Sequence, residues 1–155
     1  MMARELSRRG ALGIGAGALA LGAGVGSFAT PAQAAKNDAD ELMKKFAAGK
    51  EPQQGKVKLD LPQIAENGNT VPMTVSVESP MTEQSYVSEV MIVADANPRG
   101  GIVTFHFTPA SGVAEANTRI RLAETQNVIA LAKMNDGSVY KASQEVKVTI
   151  GGCGG

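Results

Sequence analysis

Apolar residues recur along this chain with two different periods, and the change of period divides it. Between Asp38 and Gly49, Leu42, Met43, Phe46 and Ala47 fall at helical spacing, with Asp40, Glu41, Lys44 and Lys45 largely outside that stripe. The spacing predicts a short amphipathic helix of about three turns, capped by Asn37 or Asp38 and stopped by Gly49. Its apolar face needs a cover, and the domain's own sheet is the nearest one. A linker of low hydrophobicity, Lys50 to Gly55, follows.

From there the period becomes two. Val57, Leu59 and Leu61 alternate with polar residues, as do Val71, Met73, Val75 and Val77. Pro72 has no N–H to give a ladder, which predicts an edge position for its strand. Tyr86 to Ala94 is apolar on both faces around Val90–Val93, as expected of a central or partner-covered strand. Val103, Phe105 and Phe107 share one face, and Ile120 and Leu122 point inward between Arg119 and Arg121. Val128 to Met134 leads into the hairpin turn Asn135-Asp136-Gly137, and Val146, Val148 and Ile150 close the series. Seven or so short strands punctuated by turns predict an all-β, immunoglobulin-like antiparallel β-sandwich over residues 56–150. The resulting layout is a leader at 1–34, helix and linker at 35–55, the sandwich, and a C-terminal arm at 151–155.

The N-terminal stretch reads as an address rather than as structure. Arg8 and Arg9 precede a mildly apolar Gly- and Ala-rich run, and Ala32-Gln33-Ala34 supplies a small-residue cleavage site. This pattern predicts twin-arginine export to the bacterial periplasm, with cleavage near Ala34 and no membrane anchor in the mature chain. Removing Arg4, Arg8, Arg9 and Glu5 from the 15 basic and 15 acidic residues leaves 12 and 14. So balanced a surface has no electrostatic footprint for nucleic acid or anionic lipid. With one His and one Cys, the chain also lacks the ligands of a protein-held transition metal, and none is expected.

The chemistry concentrates in the last five residues, Gly151-Gly152-Cys153-Gly154-Gly155. A single cysteine cannot staple its own fold, and in an oxidising compartment it reads as a reactive or intermolecular thiol. Its glycine neighbours offer no side chain to pack it, so the arm formed by Gly151, Gly152, Gly154 and Gly155 is expected to be a flexible tether. Three backbone steps beyond Ile150 would carry Cys153 up to ~10 Å from the sandwich. An exposed thiol titrates near about 8.5, leaving roughly 3% as thiolate at pH 7. Activation therefore has to come from whatever site receives the arm. Cys153 is the expected point of covalent substrate attachment, and no catalytic residue is expected within the chain. His106, on a strand face opposite Phe105 and Phe107, reads as a surface histidine. Arg119 and Arg121 share one strand face, either solvated or meeting an anion or partner. Met73, Met81, Met91 and Met134 read as fillers of core or interface gaps.

Several segments together resemble the SoxY family, the sulfur-carrying subunits of the periplasmic Sox thiosulfate-oxidising system. They are the twin-arginine leader, Ser79-Pro80-Met81-Thr82, Asn97-Pro98, the stretch from Thr118 to Gln126, and the Gly-Gly-Cys-Gly-Gly tail. The resemblance implies a heterodimer with a SoxZ-like subunit, and a sulfur intermediate carried on Cys153 as the only bound group. It implies loading by a c-type cytochrome enzyme to give a cysteine S-thiosulfonate. It further implies release of sulfate by a manganese-dependent thiosulfohydrolase and, where present, oxidation of the remaining sulfur by a molybdenum–haem sulfane dehydrogenase. Three other readings stay open on the residues alone. They are a Gly-Gly carrier bearing sulfur as a terminal thiocarboxylate, a periplasmic thiol enzyme, and a plain adhesion or structural sandwich.

Overall fold

The computed structural model describes residues 37–152. A helix, α1 (Ala39–Ala47), precedes nine strands. These are β1 (Gln53–Gln54), β2 (Val57–Asp60), β3 (Ile64–Ala65), β4 (Val71–Val77), β5 (Val87–Ala94), β6 (Gly101–His106), β7 (Ala114–Ile120), β8 (Gln126–Met134) and β9 (Val139–Val148). The larger sheet runs β1-β9-β8-β5-β6, with β3 also on β9, and the smaller runs β2-β4-β7. This is the expected immunoglobulin-like sandwich, with the helix laid on the outside of the larger sheet.

Strand alternation explains both layers. Val71, Met73, Val75 and Val77 of β4 face Val90 and Ile92 of β5 and Val128, Ala130 and Ala132 of β8 across the inter-sheet core. The intervening positions of the two central strands, Met91, Val93, Ile129 and Leu131, point the other way and join Phe46 and Ala39 of α1 in a second cluster. Leu42 and Met43 pack against that cluster, so the stripe read from the sequence covers the sheet as expected. Burying a side chain of the size of Phe46 contributes about 1.5–3 kcal/mol, which holds so short a helix where its own propensity would not. All four methionines named above are buried.

The helix ends differ in detail. The Asp38 side chain makes no cap bond to α1 and accepts from the Gly100 N–H at 2.6 Å, tying the helix start to the β5–β6 turn. At the other end Ala48, one residue before the expected glycine, adopts the left-handed conformation. The linker contains β1, which pairs in parallel with Tyr140 and Lys141 of β9. The chain then crosses to the smaller sheet as β2 and returns as β3 beside Lys147 and Val148. Two short strands thus share the outer edge of β9 and blunt it against edge-to-edge pairing.

Pro72 corrects one expectation, because β4 is the middle strand of its sheet. β2 pairs only with Thr74–Val77, so β4 outruns it and Pro72 has a strand partner, Arg119, on one side alone. The missing N–H is accommodated by an edge that is local to that part of the strand. The Asn135-Asp136-Gly137 turn joins β8 to β9 as expected, with Gly137 at φ 81°. There the Asp136 carboxylate accepts from the Ser138 hydroxyl and N–H, bonds that hold its pKa below the ordinary 3.8.

Candidate functional site

The registers place Gly68, the Asp95–Asn97 turn, the segment after β7 and the exit of β9 at one end of the sandwich. The 79–86 loop and the β8–β9 hairpin occupy the other end. The C-terminal segment leaves from the first end. Cys153, Gly154 and Gly155 lie outside the described residues, as do Arg8 and Arg9 of the leader. The root of the arm, up to Gly152, is described.

That root is held rather than slack. The Thr149 N–H donates to Ala65 O at 3.0 Å, and the Ile150 carbonyl accepts from the Gly68 N–H at 2.8 Å. The Leu122 N–H donates to Gly68 O at 2.8 Å, and the Gly152 N–H donates to Leu122 O at 2.9 Å. Three backbone segments meet here, and the absence of Cβ atoms lets them. A Cβ on Gly68 would lie 2.7 Å from Gly152 N and 2.9 Å from Val148 Cγ1, besides overlapping Leu122 O. One on Gly152 would sit 2.8 Å from Gly68 O, and one on Gly151 would overlap the Ala123 carbonyl. Gly152 is buried. Gly152, expected with Gly151 as a first link of a flexible tether, is held by its N–H in a glycine clasp, while Gly151 is exposed and passes close to the Ala123 carbonyl. The physical reason is that a missing side chain grants close backbone approach as readily as rotational freedom.

Behind the clasp lies a buried polar network. Asn97 and Gln126 are each 4% exposed. Asn97 Nδ2 donates to Arg121 O at 2.9 Å, while its Oδ1 accepts from the Ala123 N–H at 2.9 Å and from Gln126 Nε2 at 2.8 Å. Gln126 Nε2 also reaches Glu124 O at 3.0 Å, and its Oε1 accepts from the Ala96 N–H at 2.9 Å. These bonds hold the bend from Arg121 to Gln126 whose Leu122 pins the tail. Thr125 extends the brace, its Oγ1 accepting from the Val148 N–H at 3.0 Å. Among the described residues every buried side-chain polar atom has a partner. The Asn97-Pro98 and Thr118–Gln126 segments that carried the family resemblance are thus the bracket of the arm, a role no local pattern marked. Ser79-Pro80-Met81-Thr82 lies at the far end, where Met81 takes φ 52° with its side chain in the core.

The remaining candidates make none of the clasp's hydrogen bonds. His106 is a surface residue whose Nδ1 is 3.5 Å from Glu89, which also meets Lys133 at 3.4 Å. Arg119 and Arg121 are exposed and line a cleft with Arg99. No group of three or more His, Cys, Asp or Glu is poised to hold a metal among the described residues. Nor is any described helix long and apolar enough to cross a membrane.

A model of the family described as sulfur oxidation protein SoxY matches residues 43–153, from the helix to the cysteine itself. The chain belongs to the SoxY family. The SoxY sulfur carrier protein of Chlorobium limicola f. thiosulfatophilum is similar over 72% of this chain and 96% of its own, at 29% identity and a TM-score of 0.60. The superoxide reductase (neelaredoxin) of Ignicoccus hospitalis is 16% identical over 61% of this chain and 80% of its own, with a TM-score of 0.55. The superoxide reductase of Nanoarchaeum equitans is 12% identical over 62% of this chain and 100% of its own, with a TM-score of 0.53. At those identities the superoxide reductases share the fold alone. A search of curated proteins found no match. In this SoxY-family chain the glycine clasp and its bracket hold the segment that leads to Cys153.

Proposed function

We infer that this chain is the sulfur-carrying component of a Sox thiosulfate-oxidising system, a substrate-bearing protein rather than a catalyst. The carrier role rests on the family match and the similarity to the Chlorobium carrier. The observation that bears most weight is that the matched region runs through the clasp and ends on Cys153. Sulfur is bound covalently there. The thiolate of Cys153 and thiosulfate join through a new S–S bond with loss of two electrons, giving an S-thiosulfonate. A c-type cytochrome enzyme takes those electrons. A manganese-dependent thiosulfohydrolase then uses water to release the terminal sulfonate as sulfate, leaving a persulfide. Where present, a molybdenum–haem sulfane dehydrogenase oxidises the sulfur that remains.

This chain's residues hold and present the cargo. The clasp holds the chain at Gly152, one residue before the thiol, and Gly154 and Gly155 add no side chain after it. A narrow tip suits entry into a partner's channel, and weak docking suits release to the next enzyme. The protein pairs with a SoxZ-like subunit and works in the periplasm, reached through the leader at 1–34 with Arg8 and Arg9. The test is a Cys153→Ser variant in a reconstituted thiosulfate-oxidising system. Oxidation is abolished while thermal unfolding is unchanged; continued oxidation would overturn the assignment.

A further inference from the structure

Beside the arm's root lies a cleft of about 290 Å³ that the carrier role does not by itself explain. Arg119 lies at the end of β7, Arg121 just beyond it and Arg99 in the β5–β6 turn, with Ile102 and Ile120 among the other lining residues. Asn97 lines it too, and the same side chain bonds the Arg121 carbonyl and the Ala123 N–H. Asn97 thus links the cleft to the 121–123 bend whose Leu122 pins the tail. Among the described residues none of the three guanidinium groups has a carboxylate partner, whereas Lys45, Lys58 and Lys133 each do. Three permanent positive charges facing one concavity repel one another, and an anion between them relieves that repulsion. The planar guanidinium fork matches tetrahedral oxyanions in particular.

We propose that Arg99, Arg119 and Arg121 form a binding site for a small sulfur oxyanion, the sulfonate end of a thiosulfate-derived group. The reach is short. Gly152 is bonded to Leu122, the residue next to Arg121. One Cα–Cα step of about 3.8 Å leads on to Cys153, and the S–S bond of a carried group adds about 2 Å. The site thus serves either the cargo on the arm or free thiosulfate from solution. In the first case, which rests on the carrier reading, it parks the loaded arm against the body between visits to partners.

The test is a titration of the isotopically labelled protein with thiosulfate and with sulfate at constant ionic strength, following the arginine Nε–H and Asn97 side-chain resonances by NMR. Saturable shifts confined to Arg99, Arg119, Arg121 and Asn97 are expected. An R119Q/R121Q variant, with an unchanged backbone spectrum, should bind on the order of tenfold or more weakly. Shifts that do not saturate, or that spread equally to Lys58 and Lys147, would overturn the site. Tetrathionate separates the two sources. The Cys153 thiolate attacks one of its sulfane sulfurs, forming the S-thiosulfonate and expelling thiosulfate, with no other oxidant needed. If the cargo is the occupant, the loaded protein, washed free of anions, already shows the shifted arginine resonances, and a C153S variant treated alike does not. If free anion is the occupant, loaded and unloaded proteins titrate identically. Failure of Cys153 to take up the group would count against the carrier reading, while the direct titration would still decide the site.

Discussion

Replacing Gly68 by Ala tests the clasp without touching the arm's own sequence. The new methyl group would lie 2.7 Å from Gly152 N and 2.9 Å from Val148 Cγ1, and would overlap the Leu122 carbonyl. Backbone occupies two of those three places, so the segments must part. Three hydrogen bonds depend on their spacing: Gly68 to Ile150, Leu122 to Gly68 and Gly152 to Leu122. At about 1 kcal/mol each their loss amounts to roughly 3 kcal/mol. The lower chain entropy of Ala in the unfolded state offsets about 0.4–1 kcal/mol, for a net destabilisation of about 2 kcal/mol. The assay is a denaturant midpoint combined with hydrogen exchange at the Gly152 and Leu122 amides. Loss of the bond that pins Gly152 should speed its exchange roughly fivefold, since 1.4 kcal/mol is tenfold. A G68A protein with an unaltered midpoint and unaltered protection at both amides would refute the clasp.

Other outcomes follow from the same geometry. Asn97→Ala leaves the Ala123 N–H, the Arg121 carbonyl and Gln126 Nε2 each short of a partner, and should cost about 2–4 kcal/mol in chemical unfolding with the loss centred on the 121–126 bend. Phe46→Ala should destabilise by about 3 kcal/mol or more and expose the outer face of β5 and β8, seen as a gain in dye binding. Asp136 has a depressed carboxyl pKa, so its contribution is present above the unfolded carboxylate range and is lost as pH falls through the folded value. An Asp136→Asn protein should therefore show a flatter decline of the unfolding midpoint below about pH 4 than the parent. Deleting Gly151 and Gly152 removes the arm's root, including the residue the clasp holds. Small alkylating reagents should still label Cys153, while transfer by partner enzymes in a reconstituted system should fall.

The elements themselves were legible because their hydrophobic periods are clean. The stripe Leu42, Met43, Phe46 and Ala47 asks for a sheet to cover, and the outward positions Met91 and Val93 of the two-faced run are what it meets. Pro72 misled because strand order is not a local property: β2 stops at the register of Thr74 and leaves the proline an edge of its own. The arm's glycines look slack in the sequence because nothing nearby along the chain packs them. Their partners, Gly68 and Leu122, are distant along the chain, and backbone-to-backbone bonds leave no imprint on side-chain pattern. The same holds for Asn97 and Gln126, which look like ordinary turn residues until burial shows otherwise. Cys153 was conspicuous by chemistry alone, as a lone thiol among glycines.

Intact-mass measurement with peptide mapping, after incubation with thiosulfate and the loading enzyme, addresses the carrier assignment most directly. One added S2O3 unit is expected, mapped to Cys153 and removed by a reductant. Added sulfur on the terminal carboxylate, or none on the cysteine of a protein that still supports thiosulfate oxidation, would contradict it.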